Sequence, residues 1–164
     1  MEPDIQSWLQ NAGDQVHLNR ERAITALEDA IDTQKLAQGS SMIATLQLGA
    51  IDMTKSSEWE RRLGGLRITT VVVAKGLSDD QLQDAATQAC LELLEDSEVR
   101  VRLAVGGLLK ALAADAGTVV WQHTQDRILT SIQVNFVRCV FVFIQSFTRS
   151  LIIIIIPQTG SRQC

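Results

Sequence analysis

Between Pro3 and Pro157 the chain contains no proline. Proline is the strongest helix breaker, so this long interior is free to be helical from end to end. Alanine, leucine, glutamine, glutamate and arginine are plentiful there, and apolar residues recur at the spacing of one helix face. This pattern predicts helices over about 3–12, 20–36 and 41–54, a fourth beginning at Ser57, and others over about 79–94, 97–114 and 118–133. Asn19 is placed to cap the second. In the fourth, Trp59, Leu63, Leu66, Thr70 and Val73 form one stripe, and it runs through Val71-Val72-Val73, which could otherwise read as a strand. Ser57-Glu58-Trp59-Glu60 and Ser78-Asp79-Asp80-Gln81 have the form of capping boxes, serine accepting from the helix start and the third residue reaching back.

Two of these helices resemble one another. "LGGL" at 63–66 and "VGGL" at 105–108 lie 42 residues apart, and the same offset carries Leu63 onto Val105, Leu66 onto Leu108 and Thr70 onto Leu112. Each mid-helix glycine costs about 1 kcal/mol against alanine, so a recurring pair predicts close approach by a neighbouring helix. Two helices per 40–47 residues is the period of HEAT and armadillo arrays. "LLEDSEVRVRLAVGGLLKALA", residues 93–113, resembles the second helix of a HEAT repeat, and "SSEWERRLGGLRITTVVVAKGL", residues 56–77, resembles a variant of it. The proline common in the first helix of such repeats is missing here. The resemblance covers residues 20–133 and implies an all-α, short right-handed solenoid of antiparallel helical pairs. It also implies a scaffold or adaptor role in binding other proteins.

The charges suggest where a partner sits. Arg61, Arg62 and Arg67 on the fourth helix, with Arg100, Arg102 and Lys110 on the sixth, are candidates for a basic contact ridge; a merely solvated face is the competing reading. Asp79, Asp80, Asp84, Glu92, Glu95, Asp96 and Glu98 would suit a basic partner or simply mark helix starts and turns. Residues 1–126 hold all 19 acidic residues and 11 of the 15 basic ones, and this acidic main body argues against a nucleic-acid binder. Cys90, Cys139 and Cys164 are too widely spaced for a metal pair or a disulfide framework, which points to a reducing, cytoplasmic setting. His17 and His123 are isolated, Cys90 sits on an apolar helix side, and no phosphate loop or nucleophile motif appears. The expectation is a protein without catalysis, cofactor, metal or small-molecule substrate.

Composition changes near residue 133, dividing the chain into a repeat domain over 1–133 and a hydrophobic, acid-free tail over 134–164. All the acidic residues precede residue 127, and all four phenylalanines follow it. Repeat arithmetic places a further helix at 139–156, where "CVFVFIQSFTRSLIIIII" has the length but no polar side. Three readings stand open: a buried helix continuing the array, a membrane anchor over 139–156, or a segment foreign to the repeat, as alternative splicing would produce. An anchor would carry Arg149 inside the span, at about 2.5–3.5 kcal/mol on an insertion scale. The runs Val140–Ile144 and Leu151–Ile156 are β-branched, low in charge and free of proline, a pattern prone to aggregation. Deleting 134–164 is expected to raise soluble yield; a shortened chain that precipitates where the full chain stays soluble would mark the tail as core.

Overall fold

A computed structural model describes residues 5–33, 36 and 40–115, and these form six α-helices with no strand among them. They are α1 (Ile5–Ala12), α2 (His17–Asp32), α3 (Ser41–Met53), α4 (Trp59–Ala74), α5 (Asp80–Leu93) and α6 (Val99–Asp115). The helix expected at 118–133 and the tail at 134–164, including the candidate span 139–156, lie outside the described residues. No described helix is long and apolar enough to cross a membrane.

The helix ends correct the expected boundaries. Asn19 lies inside α2, which begins at His17, because Asp14 Oδ1 takes the Val16 N–H at 2.7 Å and turns the chain earlier. The expected Ser57 box is absent: Ser56 Oγ takes the Glu58 N–H at 3.2 Å, and α4 starts at Trp59. At α5 the cap is Asp79, not Ser78; its carboxylate accepts from Leu82 N at 2.7 Å. Ser40 caps α3 in the same manner through Ile43 N. The α4 C-terminus closes at Gly76, whose φ of 67° lets Leu77 N reach Val72 O and Gly76 N reach Val73 O, both at 3.0 Å.

Contacts run in two senses. Each even helix packs on the odd helix before it: α2 on α1, α4 on α3, α6 on α5. The even helices also follow one another, α2 to α4 to α6, as do the odd ones, α1 to α3 to α5. Helix α4 lies at the centre and also touches α1. Its stripe faces α6: Leu66 and Val73 are fully buried, while Trp59 and Thr70 are half-buried. From α6, Val101, Val105, Leu108 and Leu112 enter the same core. The valines at 71–73 are helical and buried. Burial of this kind contributes roughly 1.5–3 kcal/mol for each large aliphatic side chain.

The two glycine pairs do different things. A Cβ on Gly64 would strike the Ala12 carbonyl oxygen at the end of α1, and one on Gly65 would lie 2.5 Å from Ala50 O of α3. These glycines let α4 pass directly over two helix backbones. Gly106 and Gly107 are exposed and have open space where a Cβ would stand. Among the described residues, the shared motif therefore reflects close packing in α4 only. Gly64→Ala is expected to destabilise the fold by about 1–3 kcal/mol through overpacking. Gly106→Ala is expected to stabilise it by about 0.5–1 kcal/mol by restricting the unfolded chain. Chemical denaturation midpoints of the two variants check the contrast; equal shifts would contradict it.

Candidate interaction surface

The α1–α2, α3–α4 and α5–α6 turns share one construction. In each, an arginine early in the even helix turns back and donates Nη1 to two carbonyls of the preceding turn. Arg20 donates to Asp14 O and Gln15 O at 2.6 and 2.9 Å. Arg62 donates to Ser56 O and Ser57 O at 2.9 and 2.8 Å. Arg102 donates to Asp96 O and Ser97 O at 2.5 and 3.2 Å. Turn carbonyls at a helix start have no intrahelical partner, and a guanidinium fork suits two at once. In each case the first turn residue also folds its side chain onto an N–H two residues on: Asp14 to Val16, Ser56 to Glu58, Asp96 to Glu98. The arginines are spaced by 42 and then 40 residues, so the turns set a register for α6 two residues away from the one the glycine pairs suggest.

The middle arginine also reaches the next pair of helices. Arg62 Nε and Nη2 donate to the Asp96 carboxylate at 2.6 and 2.9 Å, and the Asp96 side chain is only 5% exposed. The hydrogen bond from Arg62 holds the Asp96 carboxyl below the usual carboxylate range, against the opposing effect of burial. Such a group binds its proton more weakly folded than unfolded. Its contribution is full above the usual carboxylate range, near pH 4, and is lost as pH falls through its lower folded value. Glu21 shifts the same way, held by the Arg67 guanidinium at 2.5 and 2.9 Å, and this pair ties α2 to α4 beside Lys75–Asp32 at 2.6 Å.

The first arginine lacks such a partner. Arg20 is 3% exposed, and its Nε is buried without an acceptor. Serine 56 stands where the register places the Asp96 carboxylate for Arg62. The Arg20 guanidinium instead stacks on Trp59, 5.3 Å from the ring centroid, and Arg100 of α6 stacks on the same indole at 4.9 Å. Trp59 thus joins α2, α4 and α6, with each contact worth about 0.5–1 kcal/mol.

The candidate basic ridge is dispersed by these roles. Arg62 and Arg67 form ion pairs with Asp96 and Glu21; Arg102 holds its own turn; Arg100 lies between Trp59 and Glu98, 3.6 Å away. Lys110 lines a groove of about 410 Å3 between α4 and α6 with Thr70, Val73 and Gly107. Arg61 turns the other way, its stem packed beside Gly13, into a cleft of about 650 Å3. Gln6, Leu9, Gln10, Thr45, Leu48 and Asp52 line this cleft between α1 and α3. Its floor is Gly49, where a Cβ would lie 2.5 Å from Leu9 Cδ1. Leu48 stands in it 72% exposed. Sequence periodicity alone missed this cleft, because Leu48 falls in an α3 window that is apolar on more than one face.

Of the acidic candidates, Asp79 caps α5, Asp96 pairs with Arg62, and Glu98 approaches Arg100. His17 is exposed beside Glu21 at 3.5 Å. Cys90 is fully buried, and desolvation pushes its thiol up to about 12, which leaves it un-ionised at neutral pH. Among the described residues no group of metal-binding side chains comes together. No protein-family model, curated protein or solved structure matches the chain.

The unfilled position beside Arg20 makes a direct prediction. Ser56→Asp keeps the turn cap and supplies the missing acceptor, so it is expected to stabilise the protein by about 1.5–3 kcal/mol. The gain should vanish in an Arg20→Gln background, as measured by thermal or denaturant unfolding.

Proposed function

We propose that the chain is a non-catalytic protein-interaction scaffold or adaptor, its helices a short right-handed solenoid of HEAT/armadillo-like antiparallel pairs. Three observations support the repeat reading: the arginine-held turn recurs at 14–20, 56–62 and 96–102, the even and odd helices each follow in succession, and α4 is shared by its neighbours. In such an array each pair is stabilised by the next, and the long exposed flanks are the surface available for binding. The expected partners are other proteins, and a cytoplasmic setting fits the cysteine spacing.

The α1–α3 cleft carries the functional reading. It combines an exposed aliphatic side chain, Leu48, with Leu9 at the wall, the amides of Gln6 and Gln10, and the charges of Asp52 and Arg61. That mixture of apolar anchor and polar edge suits a segment of another protein better than nucleic acid. Affinity capture by the immobilised full chain tests it. Wild type is expected to retain discrete proteins that Leu48→Asp loses at least about tenfold, or about 1.4 kcal/mol, with unchanged thermal stability. Failure of the wild type to capture any protein, or an unaltered set on Leu48→Asp, would overturn the reading.

A further inference from the structure

The three arginine-held turns share a second matched position. The residue that folds its side chain onto the N–H two residues on is Asp14, then Ser56, then Asp96. In the third turn this residue also links back to the pair before it. The Asp96 carboxylate takes Arg62 Nε and Nη2 at 2.6 and 2.9 Å and the Glu98 N–H at 2.8 Å. In the second turn the matching residue is a serine. Its Oγ takes the Glu58 N–H at 3.2 Å.

Arg20 is the guanidinium that this serine leaves unanswered. Among the described residues its hydrogen bonds all come from Nη1, to Asp14 O and Gln15 O, as Arg62 Nη1 bonds Ser56 O and Ser57 O. The edge that Arg62 turns to Asp96 is unused on Arg20. Its Nε is buried without an acceptor, in a residue 3% exposed. The guanidinium lies 5.3 Å from the Trp59 ring centroid, which sets it against the first turn of α4, three residues past Ser56. That helix start adds the positive end of a dipole, and Arg100 stacks on the same indole. Glu58, exposed, and Glu60, half-buried, are the opposing charges there, and neither accepts from Arg20 Nε. A buried charged donor without an acceptor is costly, and an anion in this position would relieve it.

We infer that Ser56 is a phosphorylation site and that its phosphate seats on the open edge of Arg20. It would close the junction between the first and second helical pairs as Asp96 closes that between the second and third. A phosphoserine carries a charge of about −1.5 to −2 and three acceptor oxygens. The donors that meet at Asp96 are matched in kind: two from the guanidinium and one from the turn. Ser56 is the carrier because Arg20 Nε is closed to solvent, so its acceptor comes from within the junction and not from free phosphate. Ser56 itself is half-buried in the α3–α4 turn, outside any helix. The phosphate comes from a nucleoside triphosphate held by a protein kinase. Ser56 Oγ bonds the terminal phosphorus, the bond from that phosphorus to its bridging oxygen breaks, the nucleoside diphosphate leaves, and the hydroxyl proton passes to a base of the kinase. Modification thereby stiffens the first junction, which otherwise relies on packing and on the Arg67–Glu21 and Lys75–Asp32 pairs. The positions are matched by the hydrogen bonds of the turns, so the inference stands whether or not the α1–α3 cleft binds a partner.

The full chain made with phosphoserine at position 56 tests this, beside the unmodified chain and a chain phosphorylated at the exposed Ser57. Phosphate on Ser56 is expected to raise the thermal midpoint by about 2–4 °C, and phosphate on Ser57 to raise it less. By phosphorus NMR, the second ionisation of the Ser56 phosphate is expected to fall below its ordinary pKa of about 6, and that of the Ser57 phosphate to stay closer to it. Arg20→Gln is expected to remove both effects. Arg20 also holds its own turn, so if that variant does not fold the comparison of Ser56 with Ser57 decides. Inorganic phosphate added to the unmodified chain, against chloride at equal ionic strength, is expected to leave the midpoint unchanged. Mass spectrometry of the chain isolated from the cells that make it is expected to find phosphate on Ser56. Equal effects of phosphate at Ser56 and Ser57, a gain that survives Arg20→Gln, or a Ser56 never found phosphorylated would overturn the inference. A saturable rise with inorganic phosphate that Arg20→Gln removes, with none from phosphate on Ser56, would overturn it too and place the anion's source in solution.

Discussion

The fold depends on a guanidinium that serves two junctions at once. A short turn between packed helices leaves carbonyls without backbone donors. Arg62 satisfies two of them with one nitrogen and reaches Asp96 of the next pair with the other two. Intra-pair turn geometry and inter-pair spacing are therefore set by the same side chain. Lysine could not replace it, because the planar fork is what engages carbonyls and carboxylate together.

Around this link the packing is close. Gly64 and Gly65 let α4 lie against the backbones of α1 and α3, and the aliphatic stripe on α4 then meets α6. Trp59 extends the connection, with Arg20 on one face of the join and Arg100 on the other. The result is a central helix in contact with most of its neighbours.

Much of this was legible in the sequence. The absence of proline and the 3.6-residue spacing indicated six helices that the structure contains, and the stripe through Leu66 and Val73 is buried as its spacing implied. The turns were harder to read. Capping boxes at Ser57 and Ser78 fit a local pattern, but Ser56 and Asp79 hold those N-termini, since the cap depends on where the previous helix delivers the chain. The glycine motif gave the right packing for Gly64 and Gly65, while among the described residues no neighbour comes close to Gly106 and Gly107. The basic ridge could not be resolved from spacing: Arg62 and Arg67 meet acids 34 and 46 residues away, separations that no local pattern reports.

A double-mutant cycle on Arg62 and Asp96 tests the central link most directly. Unfolding free energies of Arg62→Gln, Asp96→Asn and the double variant isolate the coupling between the two side chains. A coupling of about 1.5–3 kcal/mol, lost at low pH as Asp96 gains its proton, is the predicted result. Additive single effects, with no coupling at neutral pH, would show that the helical pairs are joined by packing alone.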